Sequence, residues 1–159
     1  MAKLRHIAMS VPDPWKAAEF YEKAFDMKRV GETDSELARG VYISDGVITV
    51  ALLDYKTDHW SGYVAGEDER GKDFVGLHHI GFWVDDLEEA ESRIVDAGGK
   101  YLMGRPEGDE PDTFYEMKFR DPNGIIVDAT HLGWRGAAKD VVAAEDAKEP
   151  AKEDEAAEA

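Results

Sequence analysis

Three side chains in this sequence are of the types that together hold a divalent metal. His6 and His79 occupy the same place in two copies of one pattern. The copies are LRHIAMSVPDPWKAAEFYEKA from Leu4 and LHHIGFWVDDLEEAESRIVDA from Leu77, and the two histidines stand 73 residues apart. The third, Asp128, interrupts the apolar run IIVDAT near the end of the second copy. A carboxylate in such a run is costly unless it is paired or coordinated. Two neutral imidazoles and one carboxylate suit a first-row divalent ion, and three protein ligands leave positions open for water or substrate. A single histidine on a strand is more often a hydrogen-bonded core group. Here the repetition argues for a site shared between the halves. His78 competes with His79 as a ligand, but strand alternation sends neighbours to opposite faces and the repeat register selects His79.

These groups need elements to position them. Residues 4–11 alternate around Ile7, Met9 and Val11, the pattern of a half-buried strand. Asp13 then caps a helix with Pro14 at its first position, where a missing N–H costs nothing. Ala17, Ala18, Tyr21, Ala24 and Phe25 recur at helical spacing. A strand is expected near Met27–Val30, and two more at Val41–Ser44 and Val47–Leu53 flank the turn signal Asp45-Gly46. In the second copy Asp86 and Glu89 form a capping box and Gly98-Gly99 stops the helix. Strands are expected near Lys100–Met103, Phe114–Phe119 and Ile125–Thr130, the last two joined by Asp121-Pro122-Asn123-Gly124. The chain therefore reads as an α+β protein with two tandem β-α-β-β-β modules, residues 3–55 and 77–134, whose sheets enclose a cleft. Residues 56–76 link them, and such a length of connection can carry function.

Residues 135–159 are rich in Ala, Glu, Asp and Lys and cannot bury a core, so a solvated, disordered tail is expected. The net charge of −16 makes phosphate binding repulsive, which argues against nucleic acid and anionic membrane surfaces. No apolar run is long enough to span a bilayer, and no signal-peptide core precedes the first strand. The absence of cysteine removes disulfides and thiolate zinc sites and fits a cytoplasmic location. A homodimer is the default assembly for such a chain. Whether the cleft forms within one chain or between two is left open.

The paired modules, the histidine in each first strand and the DPNG turn before a carboxylate-bearing strand resemble the vicinal oxygen chelate superfamily. That group includes glyoxalase I, methylmalonyl-CoA epimerase, the extradiol dioxygenases and metal-free drug-resistance proteins. The likeness runs from Leu4 to Trp134, and it implies the glyoxalase/bleomycin resistance/dioxygenase fold. Carried over, the family's metal positions fall on His6, Ala51, His79 and Asp128. Glyoxalase I and the epimerase place Glu or Gln where Ala51 stands, whereas the dioxygenases use only two histidines and a terminal carboxylate.

The resemblance therefore implies Fe(II) or Mn(II), with Ni(II), Co(II) or Zn(II) as other ions, and extradiol cleavage of a catechol-like ring. Two departures accompany it. Asp128 is one methylene shorter than the usual Glu, and the dioxygenases' acid–base His and Tyr have no counterparts in register, the second place falling near Lys118. His59, Tyr115 and His131 are the available substitutes; His59 and Tyr115 are taken as the catalytic candidates, with His59 reaching over the site from the linker. Trp60, Tyr63, Phe82, Trp83 and Tyr115 are enough to line an apolar pocket for a ring, with two or three of them expected at the cleft and the others in core or surface, and Met9, Met103 and Met117 read as packing residues. One rival is a lyase or isomerase of the glyoxalase or epimerase type, in which a metal polarises a carbonyl and stabilises an enediolate. The other is a metal-free protein that sequesters a small ligand in the same cleft.

Overall fold

A computed structural model describes residues 1–109 and 113–141. The first strand, β1 (Lys3–Ser10), leads into α1 (Pro14–Phe25). The Asp13 carboxylate accepts the Lys16 amide at 3.1 Å, and α1 ends at Asp26 in the left-handed region, φ 55°. Three strands follow: β2 (Lys28–Asp34), β3 (Ala38–Ser44) and β4 (Thr49–Tyr55). At the Asp45-Gly46 turn the Asp45 carboxylate accepts the amides of Val47 and Ile48, so β4 begins two residues later than its apolar pattern suggests. The order repeats with β5 (Gly76–Trp83), α2 (Leu87–Asp96), β6 (Lys100–Met103), β7 (Met117–Arg120) and β8 (Ile126–Thr130). Asp86 caps α2 through the Glu89 amide at 2.8 Å.

The strand expected from Val41 begins at Ala38, and two others also depart from their expected bounds. The strand sought near Met27–Val30 runs to Asp34, because β3 supplies hydrogen-bond partners along that whole length. The strand expected at Phe114–Phe119 pairs only from Met117, and Phe114, Tyr115 and Glu116 line the cleft instead.

Among the described residues all eight strands form one sheet in the order β2-β3-β4-β1-β5-β8-β7-β6. Each module pairs its first strand parallel to its last, and the modules join where β1 and β5 run antiparallel. This α+β arrangement of two tandem modules forms its cleft within a single chain. Alternation assigns the faces. On β4, Val50 and Leu52 pack with Ala18 of α1, while Thr49, Ala51, Leu53 and Tyr55 line the cleft. On β7 and β8, Met117, Phe119, Val127 and Ala129 build a second core beneath Leu87, Ala90 and Ile94 of α2.

The connection between modules is tied down by Arg120. Its guanidinium donates to the Asp68 carboxylate at 2.8 Å and to the Gly62 carbonyl at 2.5 Å. After β8 the chain returns to the first module: Thr49 donates its hydroxyl to the Arg135 carbonyl, and the Ala138 amide bonds to the Val47 carbonyl. The expected solvated tail therefore does not begin at residue 135: Arg135, Gly136 and Ala138 bond to the first module, and the rest of that expected tail, residues 142–159, lies outside the described residues. Among those described, no helix is long and apolar enough to cross a membrane.

Candidate metal-binding cleft

His6 on β1, His79 on β5 and Asp128 on β8 meet beneath a cleft of about 600 Å3, with one ligand atom from each inside 4.8 Å of the others. All three are buried, Asp128 to 1% exposure. His79 Nε2 lies 3.0 Å from Asp128 Oδ2 and 3.2 Å from His6 Nε2. The His6 ring stacks on the Trp134 indole, centroids 4.7 Å apart and 6° from parallel. This closeness needs glycine on β5: a Cβ at Gly81 would stand 2.8 Å from the indole and 2.9 Å from His6 Cβ.

Burial pushes the His79 imidazolium far below its ordinary range, with the nearby Lys118 charge adding to the effect, so the His79–Asp128 contact joins a neutral ring to a carboxylate. Burial also lowers His6, against the opposing pull of Glu116 and Asp128. His78, held down to about 4 chiefly by burial, is neutral as well.

Lys118 sits directly across from Asp128 on the neighbouring strand. Its ammonium lies 2.6 Å from Asp128 Oδ2 and 3.1 Å from Glu116 Oε1. Burial opposes that charge, but the two carboxylates outweigh it and raise the ammonium well above its ordinary range. The Trp134 indole N–H donates to the other Glu116 oxygen at 2.8 Å. Neither Glu116 nor Lys118 stands out as a site residue on sequence grounds. The alternation of Glu116 and Lys118 with the core residues Met117 and Phe119 was the available signal, since it gives that strand a polar inner face.

The donor set fits a divalent ion. Two neutral imidazoles and a carboxylate converge, Glu116 balances Lys118, and Asp128 Oδ1 is buried without a hydrogen-bond partner among the described residues. Ala51 lines the cleft and offers nothing to a metal. The structure does not bring His59 to the cleft; it is exposed in the linker, its ring edge-on to Trp60. Tyr115 does line the cleft and packs against His131. Of the other aromatic residues proposed for the pocket, Trp60 lines it, whereas Tyr63, Phe82 and Trp83 do not; Tyr42, Tyr55, Phe114 and Trp134 complete the wall.

Alternation does not separate His78 from His79. On β1 and β5 the pairing passes from Ala8–His79 to Met9–Leu77, so His78 is the extra residue of a β-bulge. Its Nδ1 lies 2.8 Å from His79 Nδ1, its Nε2 lies 2.6 Å from the Ser61 carbonyl oxygen, and the Tyr55 hydroxyl is 3.4 Å from its Nδ1.

Residues 3–128 match the family model of the Glyoxalase/Bleomycin resistance protein/Dioxygenase superfamily. An ethylmalonyl-CoA/methylmalonyl-CoA epimerase of Cereibacter sphaeroides is 31% identical over 137 residues, covering 80% of this chain and 96% of that protein. Among solved structures, a variant of Streptomyces coelicolor methylmalonyl-CoA epimerase in complex with 2-nitronate-propionyl-CoA superimposes with a TM-score of 0.59 at 18% identity, covering 80% of this chain and 94% of that one. A methylmalonyl-CoA epimerase in complex with methylmalonyl-CoA and NH4+ gives 0.60 at 16% identity, over 81% and 93%.

Proposed function

We propose that this chain, which belongs to the Glyoxalase/Bleomycin resistance protein/Dioxygenase superfamily, is a metal-dependent isomerase that moves a proton next to a carbonyl group, of the epimerase type and acting on an acyl thioester. The observation that carries this reading is a three-donor cluster facing a carboxylate and an ammonium inside one cleft, in a chain similar along its modules to an epimerase. The dioxygenase reading rests on Ala51 alone. The epimerase relative spans nearly the same modules and moves the preference to the enolate chemistry.

His6, His79 and Asp128 would hold the ion, and a bound divalent ion supplies Lewis-acid polarisation of the substrate carbonyl. The remaining work falls to the chain's own groups. Glu116 lines the cleft as a carboxylate with its orientation fixed by Trp134 and Lys118, and it takes the proton from the carbon beside the carbonyl. Lys118 remains an ammonium, so its fixed charge lowers the cost of negative charge developing on the substrate oxygen. Trp60, Phe114 and Tyr115 exclude water from the wall of the site.

The test is exchange of the substrate α-proton with solvent deuterium. Methylmalonyl-CoA is offered to Mn(II)- or Co(II)-loaded protein. Exchange is expected, with a loss on the order of 100-fold or more in Glu116→Gln. Absence of exchange, with oxygen uptake on a catechol panel instead, would return the assignment to ring cleavage. Metal content that is substoichiometric and unchanged in His79→Ala would leave the ligand-binding protein.

A further inference from the structure

We propose that His78 is a positioning residue: through the Ser61 carbonyl it fixes the His79 ring as its Nδ1–H tautomer, so that His79 Nε2 is presented unprotonated at the metal site. The inference rests on the metal-centre reading above, and it concerns a residue outside the three-donor cluster.

The chain of hydrogen bonds has only one consistent direction. A carbonyl oxygen accepts and cannot donate, so the 2.6 Å contact from His78 Nε2 to the Ser61 oxygen places a hydrogen on Nε2. His78 is buried, and no carboxylate is hydrogen-bonded to it among the described residues. A neutral imidazole carries one N–H, so His78 Nδ1 is an acceptor. His79 Nδ1, at 2.8 Å, must then be the donor. His79 Nε2 is left with its lone pair, 3.0 Å from Asp128 Oδ2. Asp128 Oδ2 also accepts from the Lys118 ammonium at 2.6 Å, and His6 Nε2 lies 3.2 Å from the same His79 nitrogen; an unprotonated Nε2 at that place is the form in which an imidazole ligates a metal. Reversing the chain would aim the His78 lone pair at a carbonyl oxygen 2.6 Å away.

The backbone holds each link in place. The β-bulge turns His78 to the same side as His79. The Tyr55 ring covers His78 with centroids 4.7 Å apart, and its hydroxyl reaches the same Nδ1 at 3.4 Å. Ser61 is buried and anchored, its hydroxyl donating to the Asp58 carbonyl at 2.8 Å and its amide to the Thr57 carbonyl at 3.3 Å. A main-chain carbonyl of the linker thus decides which nitrogen of a second-module histidine is free.

The experiment is a long-range 1H–15N spectrum of the imidazoles in the metal-free full-length chain at pH 7.5, with His79 assigned by its loss in His79→Ala. His79 is expected to show a protonated Nδ1 and an unprotonated Nε2. In His78→Phe, which keeps a ring and removes both nitrogens, the His79 proton is expected on Nε2 facing Asp128. Mn(II) or Co(II) titrated into that variant is expected to bind about 10- to 100-fold more weakly. A wild-type His79 protonated on Nε2 overturns the proposal, as does a His78→Phe variant with unchanged tautomer and unchanged affinity. Should His78→Phe fail to fold, the wild-type spectrum alone decides. A wild-type chain that shows the expected tautomer but binds no metal sinks the metal-centre reading and leaves the His78 assignment standing.

Discussion

In the first module, Ala51 on β4 faces Tyr42 on β3; in the second, Asp128 on β8 faces Lys118 on β7. The two pairs are equivalent by register, because Ala8 pairs with Ala51 and the matching residue Gly81 pairs with Asp128. One backbone geometry therefore carries a neutral wall on one side of the seam and a buried ion pair on the other. The bulges repeat in the same way. Arg5 is the extra residue before His6, as His78 is before His79. Arg5 sends its guanidinium away from the site, to the Ala138 and Lys139 carbonyls. His78 turns inward. The side chains at these three matched positions (Tyr42 and Lys118, Ala51 and Asp128, Arg5 and His78) make one half hold most of the chemistry.

The largest effect on this contrast should come from Asp128→Ala. It leaves Lys118 buried with only Glu116 for a partner among the described residues, and urea unfolding of the metal-free protein should show a loss of about 3 kcal/mol. The double variant Asp128→Ala/Lys118→Met should recover much of it, because both charges are then gone. A single variant as stable as the parent would mean that the pair has no structural weight.

Ala51→Glu tests the opposite direction by giving the first module the donor it lacks. The metal-free protein should lose about 2 kcal/mol for burying a carboxylate. Calorimetric titration with Mn(II) should show affinity rising about tenfold. An unchanged affinity would show that position 51 does not face the ion.

The most gradual effect, spread over pH, separates the histidines. His78 has a folded pKa near 4 against an ordinary value of 6.5, so below 6.5 the unfolded chain binds the proton first. Stability of the metal-free protein should fall as pH drops from 6.5 toward 4, and replacing His78 by Phe should reduce that slope by about 1 kcal/mol per pH unit. A slope that survives the replacement would assign the titration to His6 and His79 alone.

The repeat made the fold and the three-donor cluster readable in advance. Identical spacing of His6 and His79 from a capped helix fixes their strands, and a lone Asp in an apolar run marks the buried face. The sites that escaped notice depend on departures from regularity. The bulge that turns His78 inward has no residue pattern of its own, because a bulge is a matter of cross-strand register. Glu116 lies just outside β7, where pairing has stopped, and Trp134 reaches His6 only after the chain has left β8 and crossed the seam. His59 has the residue type of an acid–base group but lies in a loop whose path no residue pattern specifies.

The antiparallel seam between β1 and β5 has a consequence for the order of folding. Each module gathers most of its strands from contacts within about fifty residues, but the seam closes a loop from β1 to β5 and bears the larger entropic cost. His6 comes from one side of that seam, and His79 and Asp128 come from the other. Neither half alone offers all three donors. An ion held by all three would add its binding free energy to the joined state alone, acting as a clasp on the strand pairing of greatest sequence separation.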